Sequence, residues 1–291
     1  MNKLFGIIIA IVLIIIVFAV GFWSGGGGSA ITCEEEFWSQ PVSFNESVNA
    51  EIKVCDDVLL YDGFIGDNDF DQLLSAVQSE GVPREIQIRS QGGFTKVGIK
   101  MGDFVFDNGI DVRVIDICFS SCANYIFPAG KNKFIEKDAI VGWHGSAIQD
   151  DVLALSEDKT GEELFREAIT KSLFDAIESL PEEQRQLARM DAEESIEYEI
   201  QQRQKDIEEE RVFYEKIGVN QDITVFGLLP ENYETYYKAN IIEEEYGEYG
   251  GWILSLEDMA EFGVENIQYL GDGEYPERND YYGLRLKLLS R

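Results

Sequence analysis

Between Val58 and His144, short strand-like apolar runs alternate with helical periodicities, and this alternation constrains the fold more than any other feature. Val58-Leu59-Leu60-Tyr61 reads as a buried strand closing at Asp62-Gly63. Phe70, Leu73, Leu74 and Val77 recur at helical spacing, with Asp67 or Asn68 as the cap and Gly81 as the stop. Ile86 and Ile88 alternate with polar neighbours in a second strand that ends at Ser90-Gln91-Gly92-Gly93. A helix follows from about Thr95 to Phe106 and ends near Asn108-Gly109. Val112, Val114, Ile115 and Ile117 form a third strand, which runs into Ser120-Ser121 and a short apolar helix stopping at Pro128. A last strand through Ala139, Ile140, Val141 and Trp143 carries His144. Strand and helix alternating at such intervals predict βαβ units on a mostly parallel sheet, an α/β fold.

The flanks differ in character. Leu4 to Trp23 is an almost unbroken apolar run, long enough for one transmembrane helix at about 1.5 Å per residue. Lys3 is followed by no further cation until Lys53, and Glu34, Glu35 and Glu36 lie beyond the run, so the positive-inside bias puts the N-terminus in the cytoplasm. The expected organisation is a cytoplasmic stub (1–3), an anchor (4–23), a Gly-rich tether with an acidic lead-in (24–57), an α/β core (58–149), an acidic helical insertion (150–250) and the C-terminal part of the core (251–291). The expected location is the cell membrane, single-pass, with the bulk of the chain extracytoplasmic (periplasmic in a Gram-negative host). A cleavable signal peptide is the rival to the anchor, since Gly28-Ser29-Ala30 offers small residues for cleavage. Asn45-Glu46-Ser47 matches a glycosylation acceptor.

Within the insertion, Leu164, Ile169, Leu173, Phe174 and Ile177 mark one helix that ends before Pro181. Leu187, Met190, Ile196, Ile200, Ile207 and Val212 mark a longer, more polar one, so a charged hairpin or lid is expected. The formal charge of −31 disfavours nucleic acid and anionic lipid head groups as partners, and names no substrate. Four cysteines are too few for a disulfide scaffold. Cys33 and Cys55 flank the start of the body, and Cys118 and Cys122 bracket the two serines, with the disulfide state of all four left open. No second Cys or His pair accompanies them, so neither a metal nor a cofactor is expected.

Chemistry concentrates at three points. A hydroxyl at a strand-to-helix elbow lies beside the unpaired N–H groups of a helix start, where negative charge is favoured. Ser121 or Ser120 supplies such a nucleophile, and His144, the only histidine, supplies a base. Gly92-Gly93 ends a strand in a turn where bare backbone can approach a carbonyl oxygen, and the N–H after the serine, at Cys122 if Ser121 attacks, would be the second oxyanion donor. All three lie at C-terminal ends of consecutive strands, which line one crevice in an open parallel sheet. Each also has a plain structural reading, as a helix cap, a structural histidine and a turn.

Residues 58–145 resemble the proteolytic subunit of Clp protease, within the wider crotonase and signal-peptide-peptidase-A group. Arg89-Ser90-Gln91-Gly92-Gly93 is similar to that family's Ser-Pro-Gly-Gly oxyanion turn, with Gln91 in place of proline. Ser120-Ser121-Cys122-Ala123, followed by Ala129-Gly130, resembles its Ala-Ser-Met-Gly/Ala run, and the spacing to Ala129-Gly130 puts the family nucleophile on Ser121. Val141-Gly142-Trp143-His144 resembles the segment presenting the catalytic histidine, and Ser255 to Val264 looks like the terminal Glu-Ala-x-x-Tyr-Gly-Leu helix. The family's aspartate has no counterpart: counting back from Trp252 lands on Tyr246, among Glu243, Glu244, Glu245 and Glu248, any of which is a candidate third member. Lys96 and Lys100 stay open as partners in a Ser-Lys dyad.

The expectation is therefore a membrane-anchored, extracytoplasmic serine peptidase of ClpP/crotonase-like fold, acting on a peptide or protein substrate. Its catalytic residues are Ser121 (or Ser120) and His144, and Gly92, Gly93 and Cys122 form the oxyanion hole. The membrane is a partner through the N-terminal helix, nucleic acid is not, and a homo-oligomer is left open. The alternatives are a catalytically inactive crotonase-type scaffold that binds a membrane partner and, third, an acyl-CoA enzyme.

Overall fold

A computed structural model describes residues 31–39, 50–232, 236, 250–281 and 284–290. The chain divides into two units, Met1–Pro41 and Val42–Arg291. The described part of the first is α1, Cys33–Trp38, closed by a capping box in which the Glu35 N–H donates to Thr32 Oγ1 and the Thr32 N–H donates to Glu35 Oε2. Among the described residues no helix is long and apolar enough to cross a membrane. The expected anchor at 4–23 and the Asn45-Glu46-Ser47 acceptor lie outside the described residues.

The second unit is built on a seven-stranded sheet. β1 (Glu51–Cys55) pairs antiparallel with β2 (Val58–Asp62), and from there β3 (Glu85–Ser90) and β4 (Asp111–Phe119) add in parallel. β4 then forks. Its first half pairs with β5 (Lys133–Ile135), which carries β8 (Ile267–Tyr269) at the sheet edge, and its last residues, Ile117 to Phe119, pair with β6 (Ile140–Gly142). Helices α2 (Asp69–Glu80) and α3 (Thr95–Asn108) fill the crossovers, so the protein is α/β with a mostly parallel sheet.

Every residue of β3 is buried, as a strand covered on both faces requires. Leu59, Tyr61, Ile86, Ile88, Val112 and Val114 are wholly buried, each aliphatic one contributing about 1.5–3 kcal/mol. Two arginines that enter this sheet are paired: Arg89 grips Asp62 through Nε and Nη2 at 2.8 and 2.6 Å, and Arg113 Nε donates to Glu85 at 2.8 Å. A smaller sheet of β7 (Gly251–Leu254), β9 (Asp280–Tyr281) and β10 (Leu284–Leu289) packs Ile253, Tyr281 and Leu286 against Ile117, Phe119 and Ile140.

Two local departures from the sequence reading matter for the site. The short helix after the serines is π-helical over Cys122–Ile126 and runs into a last turn, α4, over Phe127–Ala129. It passes through Pro128 and stops one residue later, at Ala129. Among the described residues the insertion has three main helices where two are expected: α6 (Gly161–Ser179), α7 (Glu182–Met190) and α8 (Ala192–Ile217), the last two separated at Asp191, after α5 (Gln149–Ala154). α8 buries Ile196, Ile200, Arg203, Glu210, Phe213 and Tyr214. A Cβ at Gly102 of α3 would stand 2.5 Å from the Tyr125 carbonyl oxygen and 2.9 Å from the Phe213 ring, so a glycine there lets both elements close on α3.

Candidate active site

β4 and β6 end side by side, with Phe119 opposite Gly142, and this register brings the serines and His144 together. The Ser120 N–H donates to the Gly142 carbonyl at 3.2 Å, and His144 follows two residues after that carbonyl. Trp143 is fixed on its other side by two reciprocal backbone bonds with Trp252, at 2.9 and 2.8 Å. The result is a contact of 2.7 Å between His144 Nε2 and Ser120 Oγ. Ser120 adopts φ +57°, a left-handed conformation that costs a non-glycine residue about 1–3 kcal/mol. Such strain turns the side chain out of the strand at the mouth of the following helix.

Ser121 is oriented differently. It is buried and its hydroxyl donates to the Gly93 carbonyl at 2.7 Å. Of the two consecutive serines, the structure brings Ser120 to His144 and ties Ser121 to the glycine turn. With Ser120 as the reacting hydroxyl, the N–H that follows it belongs to Ser121, not to Cys122. Cys122 is wholly buried and its sulfur is bonded to Cys118, a bridge that spans both serines. None of the four cysteines is a free thiol.

The Gly92-Gly93 turn is held against this elbow. The Ile65 N–H donates to the Gly92 carbonyl at 2.8 Å, the Phe94 N–H donates to the Ile65 carbonyl at 2.9 Å, and the Gly92 N–H donates to Ser90 Oγ at 3.1 Å. Asp69 braces the segment around Ile65, accepting from Tyr61 Oη at 2.6 Å and the Gly66 N–H at 2.7 Å. Gly92 has φ +92°, and a Cβ there would lie 2.6 Å from the Phe119 carbonyl oxygen and from Ser120 Cβ, and 2.8 Å from the Ser121 nitrogen. Only glycine brings the turn this close to the Ser121 N–H.

His144 is bordered by the Phe119 ring, with centroids 5.1 Å apart. Burial pushes its imidazole below the ordinary 6.5, while a hydrogen bond to its own main chain raises it. The residue as a whole remains exposed to solvent. Among the described residues no carboxylate pairs with His144. The sequence candidates Glu243, Glu244, Glu245 and Glu248 lie outside the described residues. Lys96 is turned away from the serines, with Nζ 3.1 Å from Asp206 of α8.

Sequence reasoning passed over the residues that support the pair from below. The Asn124 amide donates to the Gly145 carbonyl at 3.0 Å, and Tyr214 Oη of α8 donates to the Asn124 carbonyl at 2.5 Å. Glu210 of α8 lies wholly buried beneath them. A signal for Glu210 existed, because it occupies the same helical stripe as Ile196, Ile200, Phe213 and Tyr214.

No family model matches the chain, and no curated protein does. Among solved structures, a ClpP1 variant from Listeria monocytogenes aligns at 18% identity over 38% of this chain and 69% of its own, with a TM-score of 0.29. An enoyl-CoA hydratase from Bacillus halodurans aligns at 11% identity over 58% of this chain and 96% of its own, with a TM-score of 0.27. A probable enoyl-CoA hydratase/isomerase from Mycobacterium abscessus aligns at 9% identity over 39% of this chain and 53% of its own, with a TM-score of 0.25. At such values the likeness says nothing of the chemistry, and the α/β class rests on the strand order given above.

Proposed function

We propose that the protein is a serine hydrolase of ClpP/crotonase-like type that cleaves peptide bonds through a Ser120–His144 pair. The observation that carries this reading is the 2.7 Å contact between His144 Nε2 and Ser120 Oγ at a strained strand-to-helix elbow. In the reaction, neutral His144 takes the Ser120 proton as Oγ attacks the substrate carbonyl, and returns that proton to the leaving amine. Water, deprotonated by the same imidazole, then attacks the acyl carbonyl, and the imidazolium returns that proton to Ser120 Oγ as the C–Oγ bond breaks and the acid leaves. The Ser121 N–H and the Gly93 N–H are the donors for the oxyanion, the first at a helix start where its N–H has no intrahelical acceptor. Ser121 Oγ acts on the second indirectly, by holding the Gly93 carbonyl. The membrane anchor, the extracytoplasmic location and self-association belong to the same proposal and rest on the sequence.

A fluorophosphonate probe tests the reading. Ser120→Ala and His144→Ala should abolish labelling, whereas Ser121→Ala should label more slowly. Labelling that survives Ser120→Ala would overturn it. The second reading, an inactive scaffold, is favoured by one observation: among the described residues no acid orients His144. It expects a correctly folded chain that takes no probe.

A further inference from the structure

Glu210 is a wholly buried acid that the chemistry above does not use. Its side chain reaches two elements at once. Oε1 accepts from Tyr125 Oη at 2.8 Å, on the helix that begins at Ser120-Ser121. Oε2 accepts from the Ala147 N–H at 3.2 Å, three residues after His144. The Ser146 hydroxyl and the Gln221 amide also face it, and Thr224 Oγ1 lies 2.8 Å from Ser146 Oγ. One carboxyl group therefore ties the nucleophile's helix to the base's loop, and it is delivered by α8, an element of the insertion.

We propose that Glu210 is a positioning residue for the Ser120–His144 pair, through which the helical insertion sets the geometry of the site. The inference rests on the proposed role of that pair. Its neighbours support it. Tyr214, one turn further along α8, holds the Asn124 carbonyl, and Asn124 in turn holds the Gly145 carbonyl, so both sides of the loop after His144 are anchored to α8. The titratable groups facing Glu210 are Tyr125 and Tyr214, and among the described residues no cation pairs with it. Burial raises its carboxyl above the ordinary value of 4.5, against the opposing effect of the hydrogen bonds from Tyr125, Ser146, Gln221 and the Ala147 N–H. The groups against His144 are the Phe119 ring and the Ser120 hydroxyl, so a change in its ionisation reports how the loop holds it.

Because His144 is the only histidine, its ring protons can be followed by NMR through a pH titration without assignment. In the full chain, Glu210→Ala should move the His144 midpoint up towards 6.5 as the loop loosens and the ring hydrates. It should also slow probe labelling by about tenfold or more, the scale of a small misplacement. Glu210→Gln keeps an acceptor for the Ala147 N–H and should return both readouts most of the way to wild type. Tyr125→Phe, which removes one bond and leaves the packing, should shift the midpoint in the same direction by less, and replaces Glu210→Ala if that variant does not fold. A folded Glu210→Ala with the wild-type midpoint would overturn the inference, as would equal effects of Ala and Gln, or an unchanged midpoint in Tyr125→Phe. A wild-type chain that takes no probe while its midpoint responds to these variants would sink the hydrolase reading and leave the positioning role standing.

Discussion

The Ser121 hydroxyl donates to the Gly93 carbonyl at 2.7 Å, so two consecutive serines have separate tasks: Ser120 meets His144 and Ser121 fixes the glycine turn. Ser121→Ala leaves a part-buried carbonyl without its donor, at a cost of about 1 kcal/mol. The expected outcome is a small fall in denaturation midpoint and labelling slowed severalfold but present. Chemical denaturation and probe kinetics on the one variant check both halves.

Gly92 sets how near that turn can come. Gly92→Ala places a Cβ 2.6 Å from the Phe119 carbonyl oxygen at φ +92°. The strained conformation alone costs about 1–3 kcal/mol, and the contact must be relieved by moving the elbow. Thermal unfolding should show the loss of stability, and labelling should fall below that of Ser121→Ala. A variant as stable and as reactive as wild type would mean that the turn tolerates a side chain.

The acid limb of the reaction follows from His144. The imidazole must be neutral to accept the Ser120 proton, and burial depresses its ionisation below 6.5. Labelling rate against pH should therefore fall through a single midpoint below 6.5, and not above it. The same shift contributes to stability. The unfolded histidine binds a proton more readily than the folded one, so this contribution is present above the unfolded value and is lost as pH falls through the folded one. Unfolding curves of wild type and His144→Ala across that window give the difference.

The Cys118–Cys122 bridge closes a loop of four residues around both serines, with Cα atoms 5.2 Å apart. Chain entropy for so short a loop amounts to about 2 kcal/mol. Because both cysteines are wholly buried, dithiothreitol should leave the bridge intact in the native protein and open it in denaturant. A Cys118→Ala/Cys122→Ala double variant should unfold about 2 kcal/mol sooner and label more slowly. Thiol counting with and without denaturant tests the first statement, and denaturation the second.

Much of this arrangement was legible in the sequence. Strand and helix periodicities between Val58 and His144 located β2, α2, β3, α3 and β4, and the pairing of Gly92-Gly93, the serines and His144 followed from strand ends. Counting back from Ala129-Gly130 points to Ser121, whereas the serine in contact with His144 is Ser120, one residue earlier, and the reason for the offset is local. The intervening Cys122–Ile126 is π-helical, and a π turn accommodates one residue more than an α turn. β5 and β9 are too short for periodicity to register, and the split at Asp191 carries neither Gly nor Pro to mark it. Glu210 lies on the buried stripe of α8, but within Glu208-Glu209-Glu210, a run whose composition alone assigns it to solvent although its last member is wholly buried.

The most direct measurement is to label the full chain with the fluorophosphonate probe, digest it, and locate the adduct by mass spectrometry. An adduct on Ser120, lost in His144→Ala, is the expected result. An adduct on Ser121, or none on a folded protein, would contradict the account.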